Sequence, residues 1–162
     1  MQTLATMTTV PSEYETMAEN FALLPDQDER LRYLIQVGRK LPPIGQSEQV
    51  DENLVRGCQS SVWLLCDQKQ EGSGDDAETT LHFRGLSDAQ IVSGLVAIVL
   101  SRYTGLTPEG ILSVDTDSIL EGFGLQGQLS PGRRNGLSSM VGRIRQFAVE
   151  AIASDSDGGD KA

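Results

Sequence analysis

The stretch "SVWLLCDQKQEGSGDDAETTLHFRGLSDAQIVSGLVAIVL", residues 61–100, decides the fold class. Its opening segment, "SVWLLCDQK", is bulky and has a β-branched residue near its start, which is typical of a strand. The segment "QEGSGDDAE" combines glycine, serine and acidic residues, as exposed hairpin connections do. In "TTLHFRG", Leu81 and Phe83 alternate with polar residues. The order strand, loop, strand therefore predicts a small antiparallel sheet.

The second half of the same stretch predicts a helix. Ser87 and Gln90 have the spacing of a helix cap, and apolar residues then recur at helical intervals. These residues form one broad face: Ile91, Val92, Leu95, Val96, Ile98, Val99 and Tyr103. We expect this helix to be the central element of the core.

The flanking sequence adds further helices. Capping patterns and apolar periodicity predict helices over residues 12–24 and 26–39, and Ser130-Pro131 begins a last long helix. The segment "NLVRG", residues 53–57, could be an additional short strand. The predicted fold class is α+β, with a small antiparallel sheet of about three strands packed with several helices.

The length of 162 residues, 38% of them hydrophobic, suits one domain with a real core. We expect a single domain over residues 1–153, of which residues 1–11 are flexible. Residues 154–162, "SDSDGGDKA", contain no apolar anchor and are expected to be a disordered acidic tail.

Charge and hydropathy exclude several classes of function. A net charge of −10 argues against a nucleic-acid partner, which would require a large basic face. The longest apolar run, Leu95 to Leu100, is far too short to span a membrane, and the N-terminus lacks the pattern of a secretory signal. Two cysteines do not form a disulfide scaffold, so we expect a cytoplasmic protein.

The two cysteines have different surroundings. Cys66 lies within an apolar strand and alternates with Val62 and Leu64, which predicts a buried packing residue. Cys58 follows Gly57 at a turn before the strand, where a loop can present a sulfur atom. From these residues alone, Cys58 is equally consistent with a nucleophile and with a packing residue.

Other roles for the thiols find less support. A metal site needs three or four ligands, and the chain offers two cysteines and His82 on another strand. A cysteine protease would need an aligned histidine base. A straight strand would carry Cys66 too far from Cys58 for a redox pair.

The first turn of the last helix departs from helix preferences. It reads Ser130-Pro131-Gly132-Arg133-Arg134, with two cations where the helix dipole favours anions. Free backbone N–H groups and two guanidinium groups could together form an anion site. The alternative is that both arginines point into solvent or pair with distant acids.

Five segments together resemble the SufE family (SufE/CsdE-like) of sulfur-acceptor proteins. They are "RYLIQVGRKLPPI", "NLVRGCQSSVWLL", "LHFRGLSDAQIVSGLVAIVL", "LTPEGIL" and "LSPGRRNGLSSMVGRIR". The likeness as a whole runs in order from about residue 14 to residue 150. The "GCQS" segment is the signature of the family, and the order of the segments is hard to reach by chance.

The resemblance implies an α+β fold similar to that of the iron–sulfur scaffold IscU. It further implies that the protein accepts sulfur as a persulfide from a PLP-dependent cysteine desulfurase (SufS/CsdA-like), stimulates that enzyme, and passes the sulfur to a SufBCD-like scaffold. Such a protein would be an accessory carrier rather than an enzyme, would have no cofactor or metal of its own, and would be a monomer or weak homodimer.

The resemblance also assigns residues. Cys58 occupies the signature position and is followed by Gln59 and Ser60. Arg133 matches the arginine of a "P-x-R" segment, where it would stabilise an anion. Asp88 matches an aspartate at the start of the helix after the sheet, where its charge would also favour the helix N-terminus.

Two alternatives and one departure remain. An IscU-type scaffold or metal-binding protein shares the implied fold but needs about three thiolates. A thiol peroxidase or redox sensor would need a resolving cysteine. The hairpin segment "QKQEGSGDDAETT" is longer and more acidic than the family pattern, which leaves open how this face meets a partner.

Overall fold

The computed structural model describes residues 13–58, 60–72, 74–123 and 129–161. These residues form two strands and six α-helices, with short 3-10 turns at Gln46–Glu48, Asp51–Asn53 and Gly74–Asp76. The helices are α1 (Glu13–Ala22), α2 (Gln27–Arg39), α3 (Gln90–Tyr103), α4 (Pro108–Ser113), α5 (Thr116–Glu121) and α6 (Pro131–Lys161). The strands are β1 (Val62–Glu71) and β2 (Glu78–Ser87). The α+β class predicted from the sequence is confirmed.

The sheet is one long antiparallel hairpin. Its register runs from Val62 opposite Ser87 to Glu71 opposite Glu78, so the connection is shorter than the "QEGSGDDAE" loop expected from composition. Gly72, with φ +90°, supplies the backbone turn at the end of β1. Residues 68–71 and 78–80 of the acidic departure from the family pattern are therefore paired strand, whereas Asp75 and Asp76 lie in the 3-10 turn. Polar residues are tolerated where both faces of a hairpin end meet water.

The predicted third strand was wrong within the described residues. The segment 53–57 contributes one isolated bridge, between Leu54 and Trp63. It follows a 3-10 turn and meets Gly57 in the left-handed region at φ +90°. The chain therefore turns away from β1 after this one bridge, before further hydrogen bonds between the segment and β1 can form a ladder.

Helix α3 is the centre of the core, as the sequence predicts. Every residue from Ser93 to Leu100 is buried, since α3 packs against α2 on one side and β2 on the other. Glycines allow these close approaches: a Cβ at Gly38 would lie 2.7 Å from the backbone nitrogen of Gly94. A Cβ at Gly85 would lie 2.9 Å from Val96. A methyl group at these positions would push the central layers apart.

The sequence predicts a flexible segment at the N-terminus and a disordered tail at the C-terminus. The expected flexible segment 1–11 lies outside the described residues. The backbone of α6 is helical to Lys161 and so runs through most of the segment expected to be a disordered tail. A helix anchored by buried Ala148 and Ala151 extends at the cost of ordering only one further residue per hydrogen bond. None of the helices in the described part of the chain has an apolar stretch long enough to cross a membrane.

Candidate functional site

Cys58 lies on a loop that is closed at its base by strand-like hydrogen bonds. The Val55 N–H donates to the carbonyl oxygen of Val62 at 2.8 Å, which holds the two ends of the Cys58 loop together at the start of β1. Gly57, in the left-handed region, turns this loop onto α6. A Cβ at Gly57 would lie 2.5 Å from the Ser139 hydroxyl oxygen, so only glycine fits this contact without a shift.

The Cys58 thiol rests against the same helix. It is half-buried, and its Sγ donates to the carbonyl oxygen of Gly136 at 3.6 Å. Burial raises the pKa of the thiol. Both observations describe a protonated sulfur, because a carbonyl oxygen stabilises S–H and repels a thiolate.

A cavity of about 370 Å³ opens beside Cys58. Most of its wall is apolar and comes from α2, β1, α3 and α6, namely Ile35, Val62, Ile91, Leu95, Leu137 and Met140. Ser60, Gln90 and Arg133 supply polar groups. The half-buried thiol beside this cavity is partly shielded from water and has one cation in the same lining.

Arg133 lines the same cavity as Cys58, whereas Arg134 does not. Arg133 is exposed and lines the Cys58 cavity, and its backbone N–H donates to the Ser130 hydroxyl at 3.2 Å. Arg134 lines a different cleft, together with Asp115. The predicted pair of guanidinium groups was therefore wrong, because consecutive helical residues point about 100° apart.

The other predicted site residues differ in whether they reach the Cys58 cavity. Ser60 lines the cavity, whereas Gln59 lies outside the described residues. Asp88 is exposed, and its carboxylate accepts a hydrogen bond from the Ser61 N–H at 3.2 Å. The Asp88 N–H donates in turn to the Ser61 carbonyl oxygen at 3.2 Å. Since α3 begins two residues later, Asp88 ties the end of the Cys58 loop to the start of α3 rather than capping the helix.

Gly136 was missed from the sequence. The available signal was its spacing from Gly132, four residues earlier and therefore on the same face of the helix. Both glycines line the cavity. Two glycines on one helix face indicate a close approach by another segment, but the sequence does not reveal which segment it is.

Cys66 occupies a different environment from Cys58. It faces the core from β1, directly opposite Phe83, and burial, with a smaller effect of Asp67, raises its pKa to about 11. Both cysteines are free. Cys66 thus has the surroundings expected of a packing residue.

The possible metal ligands of the described residues are dispersed. No group of three or more His, Cys, Asp or Glu side chains in this part of the chain is placed to hold a metal ion. His82 instead lies on the outer face of the sheet, with Nε2 3.4 Å from a Glu71 carboxylate oxygen and 3.0 Å from the Thr80 hydroxyl.

The sequence is similar to a known protein family and to individual proteins of that family. Residues 15–148 match the family model described as SufE, an Fe-S metabolism associated domain. An uncharacterised SufE-like protein of Rhizobium etli is 42% identical over 140 residues, covering 86% of this chain and 92% of its own length. Another, from Rhizobium meliloti, is 40% identical over 134 residues, covering 83% and 93%.

The fold has a counterpart among solved structures. The solution structure of a hypothetical protein from Thermus thermophilus superposes with a TM-score of 0.62 at 23% identity, covering 90% of this chain and 99% of its own. That similarity concerns the fold alone. The family match spans most of the chain and includes both the Cys58 loop and the start of α6. This chain belongs to the SufE family.

Proposed function

We propose that this protein is a cytoplasmic sulfur carrier. It takes sulfur as a persulfide on Cys58 from a PLP-dependent cysteine desulfurase of the SufS type, stimulates that enzyme, and delivers the sulfur to a SufBCD-like cluster-assembly scaffold. It uses no cofactor or metal of its own. The observation that carries the proposal is the position of the Cys58 thiol on a loop, in an apolar cavity that also has Arg133 at its opening.

The resting thiol is held as S–H and should leave its position to accept sulfur. The hydrogen bond to the Gly136 carbonyl and the burial of the sulfur both favour S–H over the nucleophilic thiolate. Movement of the loop away from α6 breaks that hydrogen bond and returns the sulfur to water. Docking on the desulfurase would thus both expose Cys58 and lower its pKa.

The transfer is a thiol exchange without net oxidation. The Cys58 thiolate attacks the outer sulfur of the desulfurase persulfide, forms a new S–S bond and breaks the old one, and the desulfurase cysteine leaves as a thiolate. The proton lost by Cys58 is balanced by protonation of that leaving thiolate. The later transfer to the scaffold repeats the exchange with Cys58 as the leaving group.

We infer that Arg133 favours the anionic species of this exchange. It lines the cavity that Cys58 also lines, and a guanidinium there can form charge-assisted hydrogen bonds to a thiolate or persulfide anion. Because its side chain is exposed in the resting protein, this effect is expected once Cys58 has left the Gly136 carbonyl.

The decisive experiment is mass spectrometry after incubation with cysteine and a SufS-type desulfurase. We expect a reducible adduct of one sulfur atom, about 32 Da, on Cys58. The adduct should be lost in Cys58→Ser and retained in the matched control Cys66→Ser. An adduct on Cys66, or on neither cysteine, would refute the carrier function.

Arg133 can be tested in the same assay. Arg133→Ala should slow loading by about tenfold, and Arg133→Lys should recover part of the rate because the charge is retained without the planar fork. Metal analysis of the purified protein adds a test of the scaffold alternative, since stoichiometric iron or zinc would favour an IscU-type function.

A further inference from the structure

Gly136 meets Cys58 in two ways. Its carbonyl oxygen accepts the thiol hydrogen bond at 3.6 Å. A Cβ built on Gly136 would lie 3.5 Å from Cys58 Sγ and 3.8 Å from both Cys58 Cα and Cβ. The unloaded cysteine would accommodate a methyl group there, because all three distances are ordinary van der Waals contacts.

A persulfide cannot keep the resting arrangement. The outer sulfur is bonded about 2.05 Å from Sγ. Placed along the line that the thiol proton now occupies, it would lie about 1.5 Å from the Gly136 oxygen, far inside contact distance. Loading must therefore break the hydrogen bond and turn the outer sulfur elsewhere.

The cavity beside Cys58 offers space for the outer sulfur, and it lies next to the position where Gly136 has no side chain. Cys58, Gly132 and Gly136 all line the cavity, so α6 presents no side chain to it at residues 132 and 136. A methyl group 3.5 Å from Sγ would exclude a bonded sulfur from that whole side of the cysteine, since carbon and sulfur then approach well within about 3.7 Å.

We propose that Gly136 is a positioning residue for the loaded cysteine: its carbonyl oxygen holds the empty thiol, and its missing side chain leaves the space that the second sulfur occupies. The inference rests on the proposed carrier function. It predicts that a methyl group at residue 136 does not disturb the empty cysteine and shortens the lifetime of the persulfide on the loaded one.

The test uses sodium polysulfide as a sulfur donor that needs no partner protein. The Cys58 thiolate attacks a terminal sulfur of the polysulfide, forms the persulfide and releases a polysulfide one sulfur shorter. Cyanide then removes the outer sulfur as thiocyanate and restores the thiolate. The measured quantities are the loaded fraction of Cys58 and the half-life of the persulfide in cyanide.

The variant is Gly136→Ala and the matched control is Gly142→Ala. Gly142 is an exposed glycine of the same helix, and a Cβ there would meet nothing within 4 Å. Both variants gain the same helix propensity, so their melting temperatures should rise together. Only Gly136→Ala should shorten the persulfide half-life, by about fivefold, because its outer sulfur is forced from the cavity toward solvent.

A persulfide in Gly136→Ala that survives as long as that in Gly142→Ala would overturn the inference. NMR of the wild-type protein, with isotope-labelled glycine carbonyls, gives a measurement that needs no variant. The Gly136 carbonyl resonance should shift on loading, and an unchanged resonance would equally overturn the inference. Failure of a desulfurase to load wild-type Cys58 would refute the proposed function instead, while the polysulfide comparison would still decide the role of Gly136.

Discussion

The hydrogen bond between Asp88 and the Cys58 loop leads to a quantitative prediction about opening. The Asp88 carboxylate accepts from the Ser61 N–H at 3.2 Å, at the point where the loop enters β1. Asp88→Ala removes this bond but retains the backbone bond from the Asp88 N–H to the Ser61 carbonyl oxygen. We expect the loop to open more often and Cys58 to react faster with small alkylating reagents.

The size of the effect follows from the one bond lost. An exposed hydrogen bond of this kind contributes about 1 kcal/mol, which is a factor of about five in an opening equilibrium. Cys58 is half-buried against α6, so its alkylation requires opening and should accelerate by the same factor. The melting temperature should fall by only about 2–4 °C, because about 1 kcal/mol is small against the unfolding of the whole domain. The Ser87 hydroxyl still donates to the Ser61 carbonyl oxygen at 2.8 Å.

The assay is iodoacetamide alkylation of the native protein, followed by mass spectrometry at fixed pH. Asp88→Asn is the matched control, since its amide oxygen can still accept the Ser61 N–H and should preserve most of the wild-type rate. Equal alkylation rates in wild type and Asp88→Ala would refute the reasoning. An Asn variant as fast as the Ala variant would show that charge, rather than the hydrogen bond, closes the loop.

Three further predictions concern the surroundings of the loop. Gly57→Ala should destabilise the protein by about 1–3 kcal/mol, because φ is +90° and its Cβ would meet Ser139; Ser139→Ala should recover part of the loss in thermal unfolding. The hydrogen bond from Arg84 lowers the pKa of Glu48, so the contribution of that carboxylate to stability is complete above its unfolded pKa and is lost as pH falls through the lower folded pKa. The urea midpoints of wild type and Glu48→Gln should thus differ at neutral pH and converge in acid. The thiol of Cys66, with a pKa raised to about 11 by burial, should be about 0.1% ionised at pH 8 and alkylate slowly until the pH approaches that value.

One result would contradict each of these three predictions. A Gly57→Ala protein that melts with wild type would mean that the loop tolerates a side chain in its turn. A stability difference for Glu48→Gln that persists unchanged into acid would exclude the ion pair as its cause. Alkylation of native Cys66 at pH 8 as fast as in urea would show that burial does not protect it.

Much of the fold was readable from local patterns. The hairpin and α3 follow from apolar periodicity, and Asp26 caps α2 by accepting from the Glu29 N–H at 2.9 Å, as its sequence pattern indicates. The third strand was wrong because a short apolar segment does not encode its pairing. Whether it joins a sheet depends on the turn at Gly57 and on contacts with α6.

The sequence by itself determined the family, the α+β class, and the placement of a cysteine on a glycine turn before a strand. These properties depend on neighbouring residues and on ordered motifs, which a linear chain displays directly. Only the tertiary structure decided that Arg133 faces the Cys58 cavity while Arg134 does not, and that the thiol rests on the Gly136 carbonyl. Those contacts join segments far apart in the chain, and their geometry is set by how α6 packs over the loop rather than by any local preference.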